Sequence, residues 1–534
     1  MNFKHMIRIM GCILGAAVLL HSCNLEREPS DYVPFGRSYR NMSDASQWDN
    51  GIYSTLRGKF GGGYVLPQEV QADMLNAHTS YNGYLGSFHR WNVRSEDDVL
   101  RSIYHSYYAA LLDANIVIEK APALEVLPEE RDKLNTYLGN AYFARAFYHF
   151  NLALRWGTPY KESSKDKDLG VPLQTRPFAL EKEGRATNAQ TYELILADLD
   201  KAETLLAKVA TMEGNTEISS DAVKALRARV YFYMGIMEKA LEESEKLIAS
   251  NRYPLIAPLP AGGKDPDGEN NPFIRMWHYD SGKEQIWQPY VDTPFEKPTT
   301  TNLYGADVST WTYWKSKGVT DKDFNKPAYL PTGTTIYDYY TNEDRRVPAY
   351  FEYVVTTAGS DRNTTTDLYV ISKFKGNPKY RDLAHERWGG YVPNGVTAPK
   401  PFRMAEQYLM AAEAAYESGQ NDKALTYLNA LRTSRGLNPS DAKNEALRTA
   451  IREERTRELA YEGFRLWDLR RWGMEISARK RQGSVKEHSF SDVFFAQGFE
   501  LTQPIPANHP KFVWGFPKDE VAHVNPKVKQ NEGW

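Results

Sequence analysis

Apolar residues recur at spacings of three and four over residues 44–60, 97–120 and 128–156, and the rhythm returns over 188–207, 220–235 and 238–250 before Pro254 ends it. Each stretch therefore predicts an amphipathic helix. Ser95-Glu-Asp-Asp98 reads as a capping box opening the second of them. From about Tyr253 to Pro399 the rhythm is lost. That stretch is rich in Pro, Gly, Thr and aromatic residues, with strand-like alternation over 350–356 and 368–374. A shorter stretch, 60–94, is irregular in the same way and rich in Gly, Tyr and His.

An internal repeat links the two helical halves. Ala228, Phe232, Gly235 and Lys239-Ala-Leu241 share their spacing with Ala412, Tyr416, Gly419 and Lys423-Ala-Leu425. Small residues let two helices approach and the Gly permits the turn between them, which is the requirement of a tetratricopeptide-like helix pair. The fold expected is mostly α: a scaffold of such pairs over 44–252 and 400–480, interrupted by an irregular, partly β insertion over 253–399. Residues 481–534, with Pro504-Ile-Pro506, read as a tail that wraps the frame. Residues 44–534 are then one domain, preceded by a tether at 23–43.

One run breaks the usual patterning. After Leu447 and Ile451, the stripe that should face the core continues with Arg455, Glu458 and Glu462. Buried charges cost several kcal/mol unless paired and hydrogen-bonded, so these side chains are expected to be matched with one another or with neighbouring helices. Leu459, Phe464, Leu466, Trp467, Leu469 and Trp472 fill the gaps between them, and Gly463 allows a turn before a second short helix. The cluster is structural in this reading.

The N-terminus carries an export pattern. Lys4 and Arg8 precede an apolar core over 9–20 that is too short to span a bilayer, and Leu20-His-Ser-Cys23 resembles a bacterial lipobox. Residues 1–22 would be removed and Cys23 would carry lipid, leaving no free thiol, because Cys12 departs with the leader. Several acyl chains on one residue would hold the protein at a membrane almost permanently. The formal charge of −2 gives no electrostatic footprint for nucleic acid.

The run over 451–473 resembles the C-terminal signature of the SusD/RagB family of nutrient-uptake lipoproteins. Similar segments follow the family's order. These are Arg145-Ala-Phe-Tyr-His-Phe150 with Trp156-Gly157, the run from Arg403 to Ala414, the run from Leu428 to Leu437, and Pro504-Ile-Pro506 with Asn525-Pro526 and Gln530-Asn-Glu-Gly-Trp534. The resemblance implies a cell-surface lipoprotein of the outer membrane, seated on a SusC-like TonB-dependent transporter and passing a captured glycan into its barrel. The RagB branch implies peptide instead, and a surface glycoside hydrolase is a remote alternative.

Composition fits the first reading, with 34 Tyr and 12 Trp. Sugar rings present C–H faces that pack on flat aromatic surfaces, while their hydroxyls need polar partners. Trp277, Trp287, Tyr290, Tyr304, Trp311 and Trp314 crowd into part of the insertion, and Trp91 lies in the other irregular stretch with Asp73, His89 and Arg90 near it. The resemblance implies an arc of aromatics drawn from these two regions. Each aromatic taken singly is more often a core residue than a ligand platform. Enzymatic motifs are poor: His385-Glu386 lacks the second His of a zinc-protease helix, and Asp265-Pro-Asp-Gly-Glu269 lacks the length and closing Glu of a calcium loop. Neither a cofactor nor a catalytic residue is expected.

Overall fold

The computed structural model describes residues 38–78, 83–178, 182–259, 271–291, 328–358, 364–374, 376–377, 397–482 and 503–534. Its frame consists of helices α1 (Met42–Lys59), α2 (Asp98–Lys120), α3 (Arg131–Trp156), α4 (Asn188–Leu205), α5 (Ser220–Met234), α6 (Met237–Ala249), α7 (Met404–Glu417), α8 (Asn421–Ser434), α9 (Glu445–Glu458) and α10 (Arg465–Trp472). The expected mostly helical fold with small sheets is present. The start of α2 differs from expectation: Asp97, not Ser95, is the cap, its carboxylate accepting from the amides of Val99 and Leu100. The capping box lies instead at Thr187 and Gln190, before α4.

The internal repeat takes the form of two helix hairpins. Gly235 closes α5 at φ +76° and Gly419 follows α7 at φ +74°, left-handed conformations that a side chain would strain. The hairpins α5–α6 and α7–α8 pack on each other through α6 and α7. Ser244 on α6 donates to Gln407 on α7, and Tyr427 on α8 reaches Glu245.

The charged stripe on α9 is buried, and both Arg455 and Glu458 have ion-pair partners. Glu458 accepts from Arg435, the C-terminal cap of α8, from Arg403 and from Arg346, while Arg455 donates to Asp468 at 2.7 Å. Arg435 in turn grips Glu284 with two bonds of 2.7 and 2.9 Å. Glu284 and Arg346 lie between the hairpins in sequence, so this hub ties the intervening chain to the frame. Burial alone would raise the Glu458 carboxyl, yet Arg435, Arg403 and Arg346 together hold it well below the ordinary carboxylate range.

Strand content is small. Strands β1 (Leu75–Ala77), β2 (Gln285–Trp287), β3 (Tyr329–Pro331), β4 (Phe351–Ala358), β5 (Thr364–Ile371) and β6 (Phe402–Arg403) form three antiparallel pairs, β1–β3, β2–β6 and β4–β5. Pair β4–β5 accounts for the alternation read at 350–356 and 368–374. Residues 503–534 lie along the frame, where the Trp156 indole donates to the Gly515 carbonyl at 2.7 Å and Trp514 donates to Gln71 at 2.9 Å.

Candidate functional site

The pair β1–β3 joins the two irregular stretches that the sequence singles out. Its register sets Leu75 opposite Pro331, Asn76 opposite Leu330 and Ala77 opposite Tyr329. One step beyond the ladder, the His78 amide donates to the Ala328 carbonyl at 2.9 Å. The stretch 60–94 therefore meets the middle of the insertion at this edge. A third segment braces it: Gln482 donates to the carbonyls of Pro331 and Tyr369 and accepts from the Tyr369 amide, tying β3 to β5. Asn76 donates to the Lys480 carbonyl at 3.0 Å.

Tyr84 stands at this edge with 41% of its surface exposed. The Tyr329 hydroxyl donates to its carbonyl at 2.6 Å, so the backbone that carries the ring is pinned to β3. Tyr337, on the short helix Gly333–Asp338 that follows β3, is also exposed. Exposed rings on a braced backbone lose little side-chain freedom when they stack on a ligand, since a tyrosine has only two torsions to fix. Sequence reasoning missed both residues; the signal for Tyr84 was its place in the Gly- and Tyr-rich stretch, where the larger Trp91 drew attention instead.

Several expected contact residues have other work. Trp91 is buried, its indole donating to the Gln71 carbonyl at 2.8 Å and its ring meeting Phe512 edge-on at 4.9 Å. The Asp73 carboxylate is gripped by Arg465 through two bonds of 2.8 Å. His89 is buried against the Leu75 carbonyl, and burial with the neighbouring Arg479 keeps its imidazole neutral, well below the ordinary histidine range. These three residues shape the 60–94 stretch rather than face solvent. Arg90 beside them is exposed.

The insertion's tryptophans divide. Trp287 is fully buried, packed among Phe60, Phe143 and Phe402, and donates to the Thr216 carbonyl. It belongs to the core because β2 pairs with β6 inside the frame. Trp277 is likewise buried, with Lys373 Nζ 4.2 Å from its ring centroid, and forms part of an internal cavity wall. Tyr290 is 59% exposed, and Arg57 donates to its carbonyl at 2.7 Å. Tyr304, Trp311 and Trp314 lie outside the described residues, as do Cys23, Asp265 to Glu269 and His385. Among the described residues no group of His, Cys, Asp or Glu is placed to hold a metal ion, and no helix is long and apolar enough to cross a membrane.

Comparison with known proteins places this arrangement in context. Residues 274–534 match the model of the SusD family, and residues 57–232 match a model described as starch-binding associating with outer membrane. SusD-like protein P38 of Formosa agariphila is 24% identical, over 88% of this chain and 91% of that protein. SusD-like protein P2 of the same organism is 26% identical over 81% of each. Among solved structures, a SusD superfamily protein from Bacteroides thetaiotaomicron superposes with a TM-score of 0.70 at 22% identity, covering 92% of this chain and 99% of its own. A SusD-like carbohydrate binding protein from Bacteroides vulgatus gives a TM-score of 0.67 at 18% identity, covering 92% and 98%. The two family models together take in hairpin α7–α8, the buried charge hub and the β1–β3 edge, and the chain belongs to the SusD/RagB family.

Proposed function

We propose that the protein captures an oligosaccharide or polysaccharide at the outer face of the outer membrane and delivers it, chemically unaltered, to a SusC-like TonB-dependent transporter. The observation that carries this reading is the β1–β3 edge, where two aromatic-rich irregular stretches are fastened together on a rigid helical frame. Loops held on such a frame are where binding surfaces are built. The exposed Tyr84 ring stands at this edge, and Tyr304, Trp311 and Trp314 precede β3 in the sequence. Family membership supports the surface location, and acylation of Cys23 would moor the protein there.

Affinity electrophoresis and isothermal titration of the mature protein against a panel of polysaccharides test the proposal. One class of glycan should bind, and Tyr84→Ala, Trp311→Ala and Trp314→Ala should each weaken that binding by about tenfold, the effect of losing a ring stack worth 1–2 kcal/mol. Absence of binding to every glycan, with peptides found by mass spectrometry in the purified protein, would replace it with the peptide reading. Appearance of shortened glycan products would replace it with the hydrolase reading.

A further inference from the structure

Among the described residues, buried cations are almost always matched. Arg145, Arg227, Arg229, Arg346, Lys373, Arg403, Arg435, Arg455, Arg457 and Arg465 each have a carboxylate partner. Arg479 has none but spreads its donors over four backbone carbonyls. Among the described buried cations that leaves Lys59 and Arg155, both no more than 5% exposed. Lys59 has a single hydrogen bond, to the Ser106 hydroxyl, and two aromatic neighbours, Tyr64 and Tyr107, at 3.9 and 5.0 Å from Nζ to the ring centroids. Arg155 donates to Asn151 and to the Tyr64 carbonyl, and its Nε–H has no acceptor. Both cations lie against the Tyr107 ring, Arg155 at 5.6 Å.

The same two residues line a cavity of about 110 Å³ between the end of α1, the C-terminal end of α3, residues 397–401 and the turn before α10. A single water needs roughly 10–15 Å³ by this measure, so the space suits a small solute rather than a sugar chain. Two further cations in the wall, Arg229 and Lys400, are already committed to Glu406 and Asp280. The one acid among the described residues of the wall, Glu462, is committed to Arg403 and Lys373. The walls are therefore positive, with donor capacity left over on Lys59 and Arg155. We propose that this cavity is a binding site for a small oxyanion, a phosphate, sulfate or carboxylate, held by the Lys59 ammonium and the Arg155 Nε–H. An anion there would supply the counter-charge that the ten paired cations of the core already have, and would brace the return of the insertion against α1 and α3. Charge-assisted bonds to such a group are about twice as strong as neutral ones.

Isothermal titration of the mature protein with sodium phosphate, sulfate and acetate, each at ionic strength matched with sodium chloride, is the test. At least one of the three should give a saturable heat. That heat should weaken by about tenfold or more in Lys59→Met and persist in Lys59→Arg, with polysaccharide binding unchanged in both. Should Lys59→Met fail to fold, Arg155→Lys, which removes the Nε–H, gives the same reading. Sulfate, which keeps its charge across the range, adds a second readout. Burial and the nearby Arg155 bring the Lys59 ammonium down to about 7, with only the phenols of Tyr64 and Tyr107 and the Ser106 hydroxyl otherwise facing it. Sulfate binding should thus weaken between about pH 6 and pH 8. No saturable heat from any of the three salts, or equal heat from wild type and Lys59→Met, would overturn the proposal, and neither result would bear on glycan capture.

Discussion

Glu458 and Arg435 meet through two hydrogen bonds of 2.9 Å, one to each carboxylate oxygen, and both side chains are completely buried. The pair joins α9 to the cap of α8, and the further ion pairs of the two residues run to Arg346, Arg403 and Glu284 on the intervening chain. Three guanidinium groups thus share one carboxylate, beside a second acid that each also meets. Removing it leaves buried positive charges short of a partner, the costly half of breaking a buried ion pair. Glu458→Gln is expected to lose about 3–5 kcal/mol of stability, read from the midpoint of urea unfolding. A loss below about 1 kcal/mol would mean that water reaches the hub.

Glu69 gives the protein a pH dependence of a predictable sign. Its side chain is wholly buried, one oxygen accepting from the Gly463 amide and the other without a partner. Burial pushes its carboxyl up to about 8. Between its unfolded pKa, near 4.3, and about 8 the folded state holds the extra proton, so this group's contribution falls as pH rises through that window. Glu69→Gln should remove that slope, matching wild type near pH 5 and exceeding it in unfolding free energy near pH 8. Parallel denaturation curves at both pH values would show the opposite.

Trp91→Ala separates a framing role from a binding role. The substitution empties a buried site beside Phe512 and leaves the Gln71 carbonyl without its indole donor. A loss of about 3–5 kcal/mol in stability is expected. Glycan affinity, measured below the unfolding transition, should stay within about twofold of wild type. A large drop in affinity with stability intact would return Trp91 to the ligand surface.

Gly463 sits at φ +91°, and a Cβ there would lie 3.0 Å from Val65 Cγ1. Both the backbone and the space oppose a side chain. Gly463→Ala should cost about 1–3 kcal/mol, seen as a lowered thermal midpoint, and more than the same change at Gly58, where nothing lies within 4 Å.

Much of the frame was legible in the chain because helical periodicity is a local signal. The repeat at Gly235 and Gly419 marked both turns, and charges at Arg455 and Glu458 on an apolar stripe demanded the partners they have. The candidate contact residues were harder to find. Trp91, Trp277 and Trp287 occupy irregular sequence, where nothing local distinguishes a ring that faces solvent from one that faces another segment. The side chains that bury them, Phe512 and Phe402 among them, come from distant positions. Asp73 misleads for the same reason, since its partner Arg465 is separated from it by almost the whole chain. Tyr84 is identified only once β1 and β3 are seen to pair.

The contact between α6 and α7 has a consequence for how the protein is made. Hairpin α5–α6 is synthesised with its mating face bare, and the surface that covers it arrives only after everything between Ala249 and Met404 has emerged. Loop closure over such a distance is slow relative to local helix formation. A nascent half-molecule would expose a sticky apolar stripe throughout that interval, so productive assembly should favour handling by a holdase chaperone until the second half of the chain is in place.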